Sequence, residues 1–177
     1  MDIPELKGGA VMDYDKLSAL WIERDKGSVH MEKDALKEWI DGFIKAHNTG
    51  ALATASGDFV RCTPIEYNLV NCYIYLFSEG GMKFKALKEN KNIGFSIFEP
   101  FEGFNKVKGL QITGRAEMIE PFCDEYLMVM EYKHIPLEAM KKLPNFLNLI
   151  KIVPDSFDLL DSDLAKEGFG NRQHLDV

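Results

Sequence analysis

Residues 78–90, SEGGMKFKALKEN, place a hydroxyl group and two glycines directly before a lysine-bearing helical pattern. If a helix begins near Met82, the turn before it presents backbone N–H groups at the positive helix end, where glycines let an anion approach closely. Lys83 in the first turn and the Ser78 hydroxyl can reach the same anion. Arg61, in a preceding strand pattern, is a candidate for bidentate contact with it. These residue types predict a phosphate-binding site.

A plainer interpretation accounts for the same residues. Ser78 would cap the helix, the two glycines would form a turn, and the lysines would form a solvated face. Glu79 suits a helix N-terminus by itself and would repel a bound anion. Because glycine-rich turns before helices are common, both interpretations stay open at this point. The lysines of that face are Lys83, Lys85 and Lys88.

Length and charge exclude several functional classes. The 177 residues suit one domain with a real hydrophobic core. The net charge is −7, and the 21 Lys and Arg form no basic block, which argues against a nucleic acid partner. We find no apolar run long enough for a bilayer and no export signal, so we expect a cytoplasmic protein without a membrane partner.

Cysteines and histidines give no metal pattern. The three cysteines are odd in number and lack Cys-x-x-Cys spacing, so we expect reduced, largely buried thiols, Cys62 included, rather than a disulfide or a zinc site. The histidines are scattered without ligand spacing, and we expect surface or capping roles for them. These residues are Cys62, Cys72, Cys123, His30, His47, His134 and His174.

The periodicity changes near Gly50. Residues 1–46 are predicted to form an arm at 1–12 and two helices, from Asp13 to about Lys26 and from Lys33 to about Ala46. The remaining segment, 47–177, is predicted to be one mainly β domain with helices at about 121–148, and the whole chain to be one folding unit. An apolar stripe on the first helix is predicted through Leu17, Leu20 and Trp21.

Six short alternating segments predict strands. Pro64 places the second strand at an edge or a bulge, Pro154 places a bulge in the last, and Gln111 lies on the polar face of the fifth. Many short antiparallel strands with flanking helices are typical of a small closed barrel, since closure removes exposed edges. The strands are predicted at 51–56, 60–67, 72–77, 92–98, 107–120 and 149–162.

The order of these pieces carries a resemblance. GALATASGDFVRCTPIEY, then YIYLFSEGGMKFKALKENKNIGFSIF, then GLQITGRAEMIE resembles the FMN-binding split-barrel family related to pyridoxamine 5'-phosphate oxidase. The most specific part is Lys83-x-x-x-Leu87-x-x-Asn90-x-x-Ile93, combined with Arg61. The resemblance implies a mainly β (α+β) fold, a six-stranded antiparallel split β-barrel with flanking helices. It also implies a homodimer with two FMN molecules between the subunits.

The resemblance also implies a set of cofactor-binding residues. Arg61 and Lys83 match phosphate ligands, whereas Gln111 and Arg172 match residues that reach the flavin from the other subunit. The rest match the strand along the flavin ring and an aromatic-hydroxyl pair beside it. The full set is Arg61, Cys62, Thr63, Pro64, Phe77, Ser78, Lys83, Gln111 and Arg172.

Departures from the family pattern shape the functional hypothesis. Met82 stands where the oxidase has a second phosphate arginine, Glu66 stands where it has a lysine, and its substrate-binding arginine-histidine pair is not recognisable. We therefore do not expect pyridoxamine 5'-phosphate oxidation. We expect an FMN-dependent oxidoreductase that acts on another small molecule, with NADH or NADPH as a candidate donor.

Alternatives come from other functional classes. The chain could bind, store or carry FMN or haem without turnover, and haem-utilising members of this superfamily use a histidine near the C-terminus, which points to His174. It could also be a structural dimer without cofactor. The phenylalanine-rich stretch 98–104 could be a lid over the ring, a dimer contact or a hydrophobic loop anchor.

Overall fold

A computed structural model of the chain describes residues 13–177, without the side chains of Leu17, Trp21 and Arg24. The arm predicted at 1–12 lies outside the described residues. Two members of the stripe predicted through Leu17, Leu20 and Trp21 are among those undescribed side chains, and the third, Leu20, is 58% exposed.

Two helices precede the sheet, as predicted. Helix α1 spans Tyr14–Lys26, begins where the Asp13 side chain accepts a hydrogen bond from the Lys16 N–H at 3.0 Å, and ends at Gly27. Helix α2 spans Lys33–Ala46 and buries one apolar stripe. That stripe packs into the main core with the strands, which makes α2 part of the barrel domain's packing. Its buried residues are Leu36, Ile40, Phe43 and Ile44.

All six predicted strands are present, each shifted by at most a few residues. The structure has eight strands in its described part, namely β1 Thr49–Ser56, β2 Phe59–Glu66, β3 Asn68–Val70, β4 Tyr73–Ser78, β5 Asn92–Phe98, β6 Lys108–Ile119, β7 Asn148–Asp161 and β8 Arg172–Asp176. Antiparallel pairing places the strands in the order β2-β1-β5-β6-β7-β4-β3, and β8 pairs with β7.

The sheet must curl into a barrel because of its connectivity. Strands β2 and β3 lie at opposite ends of the strand order, yet Tyr67 alone separates them in sequence. The two therefore act as one bent strand that joins both edges, which gives six barrel walls and confirms the predicted split-barrel fold.

The barrel is split where that bent strand leaves its neighbour. Strand β3 pairs with β4 only from Asn68 opposite Tyr75 to Val70 opposite Tyr73. Beyond this point β2 pairs with β1 and β4 pairs with β7, so the facing edges of β2 and β4 lack a strand between them. Pro64 lies on the β2 edge, as predicted, where its missing N–H costs no ladder bond.

The bulge predicted at Pro154 is also present. Thr113 lies opposite Ser156 but Gly114 lies opposite Pro154, so β7 carries one extra residue at this point. A Cβ atom on Gly114 would lie 2.3 Å from the Val153 carbonyl oxygen, and only glycine fits this close approach.

Three short helices and one missed strand complete the fold. Helix α3 spans Lys83–Leu87, α4 spans Asp124–Tyr132, and α5 spans Leu137–Lys141, with Pro136 as its N-cap. The expectation that β7 is the last strand is wrong, because a 3-10 turn at Ser162–Glu167 leads into β8. Strand β8 buries two side chains, Gln173 and Leu175, too few to establish an alternating pattern.

Helix α4 covers a second, smaller core outside the barrel. It packs against strands β4 and β7, so the helical segment closes one side of the sheet. The buried members of this core are Val70, Tyr75, Tyr126, Val129, Met130, Met140 and Leu149. Among the helices of the described part of the chain, none has the length and apolar character needed to cross a membrane.

The expectation of buried cysteines is wrong. Cys62 and Cys72 are exposed and Cys123 is half-buried. Cys62 lies on the outward face of the edge strand β2, opposite Ala53. Cys72 occupies the tight turn between β3 and β4 at a φ of 68°, where its side chain projects from the sheet. Alternation along a strand shows which residues share a face, but it does not show whether another element covers that face.

Candidate functional site

The split between β2 and β4 forms an open cleft of about 530 Å³, which we call the split cleft. Strand β2 supplies one wall, and the end of β4 with the turn into α3 supplies the other. Five of the predicted site residues line it, namely Thr63, Pro64, Phe77, Ser78 and Lys83. The other lining residues are Ile65, Glu79, Gly80 and Gly81.

Lys83 is the buried cation of the split cleft. It is 6% exposed, so the expectation that it joins a solvated face with Lys85 and Lys88 is wrong for this lysine. Its Nζ donates a hydrogen bond to the Gly80 carbonyl at 2.7 Å. Among the described residues, no carboxylate lies within 4.0 Å of this ammonium. Lys83 is therefore a buried charge whose hydrogen-bond partner is a neutral carbonyl.

Arg61 is not among the residues that line the split cleft, but its charge acts on Lys83. Burial lowers the pKa of Lys83, and the positive charge of Arg61 lowers it further, which means that the two cations feel each other. Arg61 is exposed, lies opposite Thr54 in the β1–β2 pair, and has no ion pair within the described part of the chain. A dianion between the two side chains would relieve their repulsion.

The turn before α3 is built by its glycines and Ser78. Gly80 and Gly81 have φ values of 155° and 105°, which glycine adopts without a steric penalty. The Ser78 hydroxyl donates to the Gly80 carbonyl at 3.1 Å and accepts from the Gly80 N–H at 3.3 Å. Ser78 therefore holds the turn rather than capping the helix.

The helix contributes less to the split cleft than the sequence predicts. Helix α3 has five residues, and the N–H groups of Phe84 and Lys85 are already bonded to the carbonyls of Gly81 and Met82. The cationic side chain that lines the split cleft is Lys83, and the charge of Arg61 acts on it from outside the lining residues.

Sequence reasoning missed part of the split cleft. Glu79, which suits a helix N-terminus and repels anions, and Ile65, which the sequence does not single out, both line the cleft. Asn148 supports it, because its Nδ2 donates to the Ser78 carbonyl at 3.2 Å. No local signal marks Asn148, since its position depends on the pairing of β7 with β4.

Two residues beside the split cleft need separate comment. Cys62 is exposed and is not among the residues that line it. Glu66 pairs with Lys133, the residue after α4, at 2.6 Å, so a lysine from another part of the chain neutralises this carboxylate.

Gln111 and Arg172 lie in a different cleft of the same chain. This cleft of about 190 Å³ lies between β6, β7, β8 and the α1–α2 connection, and we call it the tail cleft. Gln111 shares a cross-strand row with Ser96, Ala51 and Pro64. Three strand spacings separate Gln111 from Pro64, or about 14 Å. One chain therefore does not bring Gln111 to the split cleft.

His174 in the tail cleft lies between two carboxylates. Its Nδ1 is 2.7 Å from Asp158 Oδ1 and its Nε2 is 3.1 Å from Asp176 Oδ1. The hydrogen bond with Asp158 raises the pKa of His174, and that with Asp176 raises it further. The doubly protonated imidazole favoured here has no lone pair for a metal. Among the described residues, no group of three or more His, Cys, Asp or Glu side chains is arranged to hold a metal ion.

The phenylalanine-rich loop lies beside the tail cleft. Phe98, Phe101 and Phe104 are 62%, 68% and 91% exposed, so they do not anchor the loop in the core. The Phe101 and Phe104 rings contact each other edge to face with centroids 5.5 Å apart. The lid and dimer-contact hypotheses remain.

Solved structures share the fold at low sequence identity. The FAD-binding protein from Mesorhizobium loti is 21% identical with a TM-score of 0.53, and covers 70% of this chain and 89% of its own. ChuZ from Campylobacter jejuni is 17% identical with a TM-score of 0.63, with coverage of 93% and 69%. HutZ, the heme storage protein from Vibrio cholerae, is 16% identical with a TM-score of 0.56, with coverage of 67% and 89%.

Sequence comparison gives the family. No curated protein matches the chain. The family model described as pyridoxamine 5'-phosphate oxidase matches residues 36–157, which include β1 to β6 and most of β7. Because this match spans more than half of the sequence, the chain belongs to the pyridoxamine 5'-phosphate oxidase family.

Proposed function

We propose that this protein binds FMN in the split cleft and is an oxidoreductase that transfers electrons between a reduced donor and a small molecule. One observation carries the proposal: Lys83 is a buried cation in the split cleft that the Arg61 charge acts on, and neither residue has an acidic partner among the described residues. A phosphate monoester dianion is the natural counter-charge for such a pair.

The residues of the split cleft fit FMN. Arg61 and Lys83 would hold its phosphate, and the Gly80–Gly81 turn leaves space for it, since a Cβ atom on Gly80 would meet no atom within 4 Å. The edge of β2 at Thr63 and Pro64 offers backbone groups for the ring, and Phe77 offers an apolar contact. When bound, FMN supplies the two-electron redox chemistry, while the protein supplies binding and orientation.

The proposed working form is a homodimer. The family resemblance assigns Gln111 and Arg172 to the same flavin, yet Gln111 lies about 14 Å across the sheet from Pro64 of the split cleft in its own chain, and Arg172 lies in the tail cleft. A second copy that places its tail cleft against the split cleft would reconcile these positions. The outward row of Pro64, Ala51, Ser96 and Gln111 is consistent with sheet-to-sheet contact, because three of its four side chains are small or compact.

The substrate is proposed to be a small molecule other than pyridoxamine 5'-phosphate, with NADH or NADPH as the donor. Met82 and Glu66 occupy positions where the oxidase pattern has basic residues, and Glu66 is already paired with Lys133. In the proposed dimer, Arg172 of the second copy would supply positive charge toward the bound flavin.

A non-catalytic FMN or haem carrier is the second candidate, because HutZ, which shares the fold, is named a heme storage protein. The geometry of His174 weighs against haem ligation through that residue, because carboxylates hold both of its ring nitrogens.

An absorbance spectrum of the purified protein, before and after addition of FMN, separates these functions. The proposal predicts the absorbance bands of bound FMN. It also predicts that the protein oxidises NADH or NADPH when an electron acceptor is added. A Soret band would support the haem carrier, and bound flavin without turnover would support the FMN carrier. A colourless protein that takes up no FMN would contradict both and leave a structural dimer.

A further inference from the structure

We propose that a third cleft, between α2, the β3–β4 turn and β8, binds a medium-chain fatty carboxylate. We call it the α2 cleft, and its volume is about 410 Å³. It is remote from the split cleft, because Tyr73 at the start of β4 lines the α2 cleft and Ser78 at the end of that strand lines the split cleft. Five strand residues separate the two positions by about 16 Å. A ligand in the α2 cleft is therefore independent of the proposed flavin.

The floor of the α2 cleft is apolar and continuous with the main core. Ile40 of α2 and Leu175 of β8 are 1% and 7% exposed and belong to that core. Three further floor residues, in and after the β7 bulge, are only half-buried and leave apolar surface open to water. A hydrocarbon chain laid over this surface would be removed from water together with it, as in small-molecule sites of similar size. The three residues are Val153, Pro154 and Phe157.

One wall of the α2 cleft carries two cations. Lys33 and Lys37 are four residues apart on α2, so they lie on the same helix face. Both side chains are exposed, and within the described part of the chain neither ammonium has a carboxylate within 4.0 Å. Two ammonium groups above an apolar floor complement a carboxylate head group on a hydrocarbon tail, and the lysine stems can cover part of that tail.

The acidic residues of the α2 cleft set the position of the head group. Asp41 lies eight residues after Lys33 on the same helix, or about 12 Å along its axis. Asp176 lies at the β8 side, where its Oδ1 is 3.1 Å from His174 Nε2. Both carboxylates would repel an anion placed beside them. The head group is therefore expected at the Lys33 end of the wall.

Two native cysteines can report whether the α2 cleft is occupied. Cys72 lines the cleft, Cys62 lies outside it, and both thiols are exposed. The experiment measures the rate of alkylation of each thiol by iodoacetamide in the full chain, by peptide mass spectrometry. Saturating FMN is present throughout, so that the added amphiphile does not compete for the split cleft. Every amphiphile is kept below its critical micelle concentration.

Decanoate should slow the alkylation of Cys72 and leave that of Cys62 unchanged. It should reach half-protection at a concentration about tenfold lower than octanoate, because two further methylene groups are buried. Decanol tests the tail without the charge, and decyltrimethylammonium tests the opposite charge. Both should protect Cys72 less well than decanoate at the same concentration.

Charge variants test the head-group contact. Lys33→Gln combined with Lys37→Gln should raise the half-protecting concentration of decanoate about fivefold, as expected for contacts at an exposed site. Lys45→Gln combined with Lys88→Gln removes the same charge from exposed positions outside the cleft and should leave this concentration unchanged. Asp41→Asn removes a repulsive charge and should lower it about twofold.

Four results would overturn this proposal. They are unchanged alkylation of Cys72 in decanoate, equal slowing of Cys62 and Cys72, protection by decyltrimethylammonium as good as that by decanoate, and full protection in the Lys33 and Lys37 double variant. Alkylation of Cys72 that slows with rising protein concentration, without any amphiphile, would show that a second copy covers the cleft and would also overturn it. None of these results depends on whether FMN binds, so the proposed function is tested separately.

Discussion

The split cleft and the tail cleft both contain basic side chains, but they differ in what faces those side chains. In the split cleft, Lys83 donates a hydrogen bond to the Gly80 carbonyl, and the positive charge of Arg61 acts on it. In the tail cleft, His174 lies between Asp158 and Asp176. The positive charge is thus left uncompensated by neighbouring carboxylates in the first case and neutralised in the second.

This difference indicates which of the two clefts an anionic ligand would stabilise. Burying a lysine without an opposite charge costs folding free energy, since the ammonium loses water and gains only the Gly80 carbonyl and the face of the Phe84 ring, whose centroid is 5.1 Å from Nζ. His174 has no such deficit, because two carboxylates supply its counter-charge. An anionic ligand would therefore stabilise the split cleft much more than the tail cleft.

Removal of Arg61 should have the largest effect on FMN binding. Arg61→Ala should weaken FMN binding about 10- to 100-fold, because a charge-assisted phosphate contact contributes roughly 1.5–3 kcal/mol. Quenching of FMN fluorescence measures the affinity. Arg115→Ala is the matched control, since Arg115 is an exposed arginine of β6 that pairs with Asp155. An equal loss in both variants would contradict a specific role for Arg61.

Removal of the Lys83 charge should weaken FMN binding about tenfold and at the same time change the pH dependence of stability. The pKa of Lys83 is lower in the folded chain, so between that pKa and about 10.4 the unfolded chain binds more protons. Stability therefore gains a contribution as pH rises through this range. Lys83→Met should abolish that gain in denaturant titrations, whereas Lys88→Met should keep it.

Neutralising Glu79 should strengthen FMN binding, which is the opposite of the effect expected from removing Arg61 or Lys83. Glu79 lines the split cleft and opposes a bound anion, so Glu79→Gln should tighten FMN binding by up to about fivefold, or 1 kcal/mol at an exposed site. The same titration at low and high salt measures this effect. Glu120→Gln, at an exposed position outside the cleft, should leave the affinity unchanged, and an unchanged affinity in Glu79→Gln would refute the expected repulsion.

The smallest effect is expected in the tail cleft. The pKa of His174 is raised in the folded chain, so its stabilisation is present below about 6.5 and is lost as pH rises through the folded pKa. His174→Gln should lose about 1 kcal/mol or less at low pH, because the side chain is half exposed. Thermal unfolding from acid to neutral pH measures it, with His134→Gln as control. A loss that grows toward high pH would have the wrong sign.

The sequence predicts the fold better than the site. Alternation and the two prolines locate the six barrel strands, the β2 edge and the β7 bulge, because these features depend on local backbone chemistry. Strand β8 and the Asp158–His174 contact escape prediction, since a five-residue strand that buries two side chains has a weak pattern. The exposure of Cys62 escapes for another reason, because it depends on how far the rest of the chain covers the outward face of β2.

The candidate site divides in the same way. Arg61 and Lys83 are identifiable from residue type, but the effect of the Arg61 charge on Lys83 depends on the curl that brings β2 toward β4. The predicted helix-end contribution is weaker than expected, because α3 has five residues and Ser78 bonds to Gly80 instead. The separation of Gln111 from the split cleft is visible only from the strand order.

The most direct test of the central claim is a comparison of FMN and riboflavin binding to the same protein, measured by flavin fluorescence. The two ligands share the ring and differ in the phosphate that Arg61 and Lys83 are proposed to hold. We predict that FMN binds at least about tenfold more tightly, and that Arg61→Ala combined with Lys83→Met removes this preference. Equal affinities of the unchanged protein for FMN and riboflavin would contradict the account.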